Sequence, residues 1–132
     1  MNKILILAEH DGQTLNPATA KAVSCAAAIV ARGGGEIDVL VLGDDIDAAA
    51  SQAAALEGVN KILATSAPHL AAPLAVNHGP ELAAAAAGYS HVLAPSTTYG
   101  KDVLPHAAAL LGVNAARVTS SVRFTPATRS ST

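Results

Sequence analysis

Tryptophan is missing from this sequence, and two tyrosines and one phenylalanine are its whole aromatic complement. Stacking platforms for nucleobases or sugar rings are built from such side chains, so little surface of that kind is left. Charge is also scarce: charged residues make up 14% of the chain and the formal net charge is -2. No broad field therefore recruits nucleic acid or an anionic membrane, and Arg117, Arg123 and Arg129 are too few to build a basic surface. A single cysteine, Cys25, excludes an intrachain disulfide framework and a cysteine metal cluster. Its place inside an apparent helix suits a small buried hydrophobe. No apolar run approaches the roughly eighteen residues of a membrane span. The run after Met1-Asn2-Lys3 is too short for a signal-peptide core. The expectation is a cytoplasmic protein with no membrane insertion and no nucleic-acid partner.

What is present is aliphatic. Hydrophobic residues make up 51% of the 132, enough for one domain that buries about two thirds of its unfolded surface. Ala, Val, Leu and Ile have short side chains, which let helices approach a sheet closely. The pattern predicts a strand over 4–8, then Asn16-Pro17 as N-cap and first-turn proline of a helix over 17–32, closed by Gly33-Gly34-Gly35. A strand over 36–42 and a helix ending at Glu57-Gly58 follow, with Asp44 and Asp45 as capping or charge-stabilising residues. A third strand covers 61–64; Pro80-Glu81 opens a helix through Ala87; a fourth strand covers 91–94; the segment 95–100 is a loop; and a helix spans 101–111. Strands alternating with helices predict βαβ units: an α/β fold with an open, mostly parallel sheet and helices on both faces. The single domain is expected over 1–113. The segment 114–132 is expected to be a divergent tail, with a last strand over 117–122 and a frayed end.

Several kinds of chemistry fail on the residues. Between the first strand and its helix stand Glu9-His10-Asp11-Gly12, one glycine and two carboxylates where a dinucleotide fingerprint needs closely spaced glycines. No phosphate-binding loop of the G-x-x-x-x-G-K-[ST] kind occurs. Glu9, His10 and Asp11 could form an acid/base or metal cluster only if other elements brought a second wall of ligands. His69, His78, His91 and His106 are scattered without metal-ligand spacing, so surface and packing roles are expected for them. Ser24 and Cys25 lie mid-helix and Ser96 lacks a nucleophile elbow, so no catalytic residue and no metal ligand is assigned.

The segment richest in polar groups runs Pro95-Ser96-Thr97-Thr98-Tyr99-Gly100-Lys101. It leaves a strand and enters a helix, the place where open α/β sheets bind ligands. Ser96, Thr97 and Thr98 offer hydroxyls, Gly100 a permissive backbone and Lys101 a cation, a modest anion or cofactor site. The same residues serve equally as a helix cap and turn, or as a contact with another domain or subunit.

Separated stretches, taken in order, carry a resemblance. They are Leu5-Ile6-Leu7-Ala8-Glu9-His10, Leu15-Asn16-Pro17-Ala18-Thr19, the segment 39–43, Glu57-Gly58-Val59-Asn60-Lys61-Ile62-Leu63, and above all Gly88-Tyr89-Ser90-His91-Val92-Leu93-Ala94-Pro95-Ser96-Thr97-Thr98-Tyr99-Gly100-Lys101-Asp102-Val103-Leu104-Pro105. Together they resemble the amino-terminal domain of the electron transfer flavoprotein alpha subunit over about residues 3–113. The resemblance implies a nucleotide-binding-like fold of the adenine nucleotide alpha hydrolase type, acting as a scaffold rather than an enzyme. It implies a beta subunit as partner, and electrons carried on FAD from acyl-CoA and related dehydrogenases to a membrane quinone oxidoreductase or another acceptor. In that family FAD is held mainly by a second, carboxy-terminal alpha domain, and AMP, where present, belongs to the beta subunit. No such FAD domain lies within these residues; a fragment, a truncated product and an altered reading frame each explain that. His106 stands where the family typically has arginine. The chain alone is therefore expected to hold no FAD and to self-associate through faces normally covered. The alternative reading is a free-standing nucleotide or small-ligand module of the universal-stress-like kind.

Overall fold

A computed structural model describes residues 2–72, 74–86, 88–111, 115–118 and 121–124. The first strand, β1 (Asn2–Leu7), is the most apolar segment, and Ile4, Leu5, Ile6 and Leu7 are all fully buried. A strand covered on both faces has no polar side to alternate with, which explains the unbroken run. The helix α1 (Pro17–Gly33) starts where expected: the Asn16 side chain accepts the Ala18 N–H at 2.9 Å and Pro17 occupies the first turn. It stops at Gly34, whose φ of 75° suits glycine and whose N–H donates to the Val30 carbonyl at 2.7 Å.

Next come β2 (Gly35–Gly43), α2 (Asp47–Ala54), β3 (Lys61–Ser66), a 3₁₀ turn (Pro68–Leu70), α3 (Ala75–Ala85), β4 (His91–Pro95) and α4 (Thr98–Leu111). Two short strands close the sheet, β5 (Ala115–Val118) and β6 (Ser121–Phe124), where sequence suggests one. The six strands lie in the order β3-β2-β1-β4-β6-β5. The first four run parallel, while β6 is antiparallel to both β4 and β5.

The strand order makes a switch point between β1 and β4. From β1 the chain moves through β2 to β3 on one side, then returns across the sheet to β4 on the other. Crossovers of one hand oblige the helices to change face when the direction reverses. They do: α1 and α2 cover Ile4, Ile6, Val39 and Val41 with Ala22, Ala26, Ala49 and Ala53. On the opposite face α3 and α4 cover Leu5, Leu7, Leu40 and Leu42 with Leu82, Val103, Leu104 and Ala107. Alanine at these contacts brings the helices down onto the sheet.

Three helix starts differ from the sequence reading, and α2 ends at Ala54, short of Glu57. The cap of α2 is Ile46 with no side-chain bond, so Asp44 and Asp45 do not cap it; Asp47 supplies the favourable first-turn charge. The helix α3 begins at Ala75, not Pro80, and carries Pro80 inside it. Its first turn is held from outside, since His78 anchors it to the turn at Leu70 and to Tyr99. The helix α4 begins at Thr98, a turn earlier than its pattern of apolar residues implies, because Thr97 caps it.

Candidate functional site

Open α/β sheets bind ligands at the carboxyl ends of their strands, beside the switch point. Two segments meet there, the turn after β1 and the turn after β4. Glu9 leaves β1 with its backbone fixed on both sides: its N–H donates to Thr19 Oγ1 at 3.1 Å and its carbonyl accepts the Asn16 N–H at 2.8 Å. Thr19, on the first turn of α1, is fully buried in order to do this. So held, the Glu9 carboxylate reaches across the switch point and accepts the Thr97 hydroxyl at 2.6 Å.

Thr97 uses the rest of its hydroxyl as the N-cap of α4, accepting the Gly100 N–H at 3.2 Å, and its carbonyl accepts the Lys101 N–H at 2.8 Å. Gly100 is required by proximity: a Cβ there would sit 1.9 Å from the Pro95 carbonyl oxygen. The amino end of α4 thus already holds a negative group, the protein's own carboxylate, in the position favoured by the helix dipole. Ser96 is half-buried, whereas Thr98 and Lys101 are exposed on the first turn. Pyrophosphate does not fit this arrangement. The Gly100 amide and the Thr97 hydroxyl are used internally, Gly100 abuts a carbonyl instead of open space, and Glu9 would repel phosphate.

Beside this closed crevice lies a cavity of about 300 Å3. Ala8, Leu42 and Leu70 are apolar residues of its lining, joined by His10, His78 and Tyr99. Glu9, Asp11, Asp44 and Asp45 are the acidic residues along its lining. The His10 ring packs on Gly43; its Nε2 lies 2.7 Å from the Leu42 carbonyl and its Nδ1 accepts the Gly12 N–H at 3.0 Å. A carbonyl only accepts and an amide N–H only donates, so the bonding assigns a neutral ring with hydrogen on Nε2. His78 follows the same logic. Nε2–H donates to the Leu70 carbonyl at 2.9 Å, leaving Nδ1 to accept the Tyr99 hydroxyl at 2.7 Å.

Burial holds the His78 imidazole below the usual histidine range, opposed by its bond to Leu70. Burial, with the Glu9 charge nearby, pushes the Tyr99 phenol well above its usual range. Asp11 is exposed, and its carboxyl is lowered by the Thr14 and Gln13 amides, which donate to Oδ1 at 2.7 and 3.0 Å. It is therefore a fixed negative charge at neutral pH.

The run Glu9-His10-Asp11 does not converge on one point: Glu9 faces Thr97, His10 faces β2 and Asp11 closes its own turn. Among the described residues, no group of three or more His, Cys, Asp or Glu is placed to hold a metal ion. His69 lies 3.9 Å from Glu81 on the surface, and His106 packs against Gly79.

A second polar group, not apparent from the sequence, sits toward the amino ends of the strands. Asp38 in β2 is wholly buried and accepts the Tyr89 hydroxyl at 2.6 Å. Asn60 donates to its other oxygen at 3.4 Å, and Lys61 Nζ lies 4.0 Å away. Burial and the Asp38 carboxylate push the Tyr89 phenol far above its usual range. The ammonium of Lys3 stands over the Tyr89 ring, 5.1 Å from its centre. The available signal was an acid inside the apolar strand segment Ile37-Asp38-Val39.

Fold and site together define a doubly wound, nucleotide-binding-like α/β domain whose switch point is closed by its own carboxylate. A family model described as the electron transfer flavoprotein domain matches residues 4–131. The electron transfer flavoprotein subunit alpha of Pseudomonas aeruginosa is 46% identical over 111 residues, covering 84% of this chain and 35% of that protein. The corresponding subunit of Paracoccus denitrificans is 39% identical over 83% of this chain and 34% of its own length. The mitochondrial subunit alpha of Oryza sativa subsp. indica is 36% identical over 83% of the chain and 32% of its own length. The chain belongs to the electron transfer flavoprotein family and matches its alpha subunits. It spans about a third of the length of these relatives.

Proposed function

We propose that this chain is the scaffold domain of an electron transfer flavoprotein alpha subunit. It pairs with a beta subunit, and the assembly carries electrons on FAD from dehydrogenases to a quinone oxidoreductase or another acceptor. The observation that carries this reading is the family match over residues 4–131. The closed switch point supports a structural role, because the crevice that serves nucleotides elsewhere is bridged here by Glu9 and Thr97. On this reading Ser96, Thr97, Thr98, Gly100 and Lys101 are a cap and turn, not a cofactor site, and the domain supplies surface to the complex and performs no catalysis. Higher identity to the two bacterial relatives than to the mitochondrial one supports a cytoplasmic location.

The test is association. Mixing the 132-residue chain with a bacterial electron transfer flavoprotein beta subunit should give a heterodimer by size exclusion with light scattering. Two separate species at high concentration would defeat the reading. Reconstitution with excess FAD, followed by removal of free cofactor, should leave the chain alone without the visible flavin band, and retained stoichiometric flavin would reassign the loop after β4. Stabilisation by AMP, ADP or ATP would favour the nucleotide-module alternative. In the absence of the beta subunit, a homo-oligomer is expected from faces that the complex would cover, and a strict monomer at every concentration would remove that expectation.

A further inference from the structure

We infer that the cavity beside the switch point is a socket for an organic cation, a guanidinium or ammonium group on a short aliphatic stem. The inference concerns the cavity itself and does not rest on the electron-carrier reading. Its volume, about 300 Å3, stands at the lower end of small-molecule pockets.

The lining selects by sign. The helix amino end that would welcome an anion already faces Glu9, and both imidazoles have committed both nitrogens to the protein, so neither offers a hydrogen to phosphate. Asp44 and Asp45 line the cavity and are exposed, and Asp11, also in the lining, is fixed by its own turn. No lysine or arginine lines the cavity among the described residues. The lining matches such a ligand in chemistry: the apolar Ala8, Leu42 and Leu70 suit methylene groups, and Tyr99 is an aromatic neighbour for a cation. Glu9 donates nothing and spends one oxygen on Thr97, so its carboxylate retains acceptor capacity toward a cationic head. Such a group arrives either as a free amine or as the arginine or lysine side chain of a partner polypeptide.

The experiment uses the whole 132-residue chain, labelled with nitrogen-15, titrated in parallel with agmatine, with an acetylated and amidated Gly-Arg-Gly peptide, with AMP and with inorganic phosphate. Both cations should shift the amides of Gly12, Gly43, Asp44, Asp45 and Tyr99 saturably and more weakly at high salt. AMP and phosphate should leave those amides in place. The exposed double variant Asp44→Asn/Asp45→Asn should weaken cation binding about fivefold without altering the fold. Tighter binding of the peptide assigns the socket to a partner's side chain, and tighter binding of agmatine assigns it to a free amine. Two results would overturn the proposal: AMP or phosphate shifting these amides while the cations do not, or unchanged cation affinity in the double variant.

Discussion

The two ends of the sheet each hold a carboxylate bonded to a hydroxyl, and they use it differently. Toward the amino ends, Asp38 is wholly buried and surrounded by Tyr89, Asn60 and Lys61. Toward the carboxyl ends, Glu9 is half-buried, accepts the Thr97 hydroxyl and borders a cavity. A charge removed from water must be matched by its neighbours, so the first arrangement is a lock that tolerates little change. The second keeps capacity in reserve, as a place for interaction requires.

The strongest way to break the carboxyl end is by geometry. Gly100→Ala would drive a Cβ into the Pro95 carbonyl, and neither side is a flexible side-chain tip. Loss of about 3 kcal/mol is expected in urea unfolding, at the upper end of overpacking costs. At the amino end, Tyr89→Phe removes a neutral donor from a buried carboxylate and should cost about 2 kcal/mol. If that variant is neutral, the lock is not one.

Gly79→Ala tests the contact between α3 and α4, where a Cβ would lie 2.4 Å from His106 Cδ2. A loss of about 1 kcal/mol is expected, because a side chain can move away where a backbone cannot. A double-mutant cycle with His106→Ala should recover most of it; strict additivity would place the strain elsewhere.

Glu9→Gln should change stability least, by less than about 0.5 kcal/mol, since the amide oxygen still accepts from Thr97. Read beside Tyr89→Phe, a large loss here would erase the contrast between the two ends. A pH experiment sharpens it further. His78 is lowered in the folded state, so between its folded value and the unfolded 6.5 the unfolded chain binds the extra proton. Its contribution is fully present above 6.5 and is lost as pH falls through the folded value. Imidazole nitrogen shifts should therefore show His78 neutral in folded protein at pH where exposed histidines have charged; co-titration with them would refute the burial argument.

The parallel sheet, the start and stop of α1 and the helices on both faces were legible because each has a local cause: an apolar run, Asn16-Pro17, Gly34, alternating elements. The start of α3 was not, because Pro80 reads as a first-turn residue while the turn before it depends on His78 reaching Leu70 and Tyr99. The site was half legible. Sequence singled out both Glu9 and the loop after β4, but not their meeting, since no local pattern signals a bond between residues so far apart. The buried Asp38 left a trace as an acid between the apolar Ile37 and Val39, and its partner Tyr89 left none.

The placement of β1 has a consequence for how the chain reaches this fold. Its neighbour β2 follows after one helix, but its other neighbour, β4, pairs Ile4 with His91. Contacts between such distant residues form late, because the entropy of closing the long loop must be met first. As the chain leaves the ribosome, its most apolar strand therefore waits with one hydrogen-bonding edge open until the residues of β4 have been made. That interval, ended when β4 docks, is when the nascent domain is most exposed to aggregation and most in need of a chaperone.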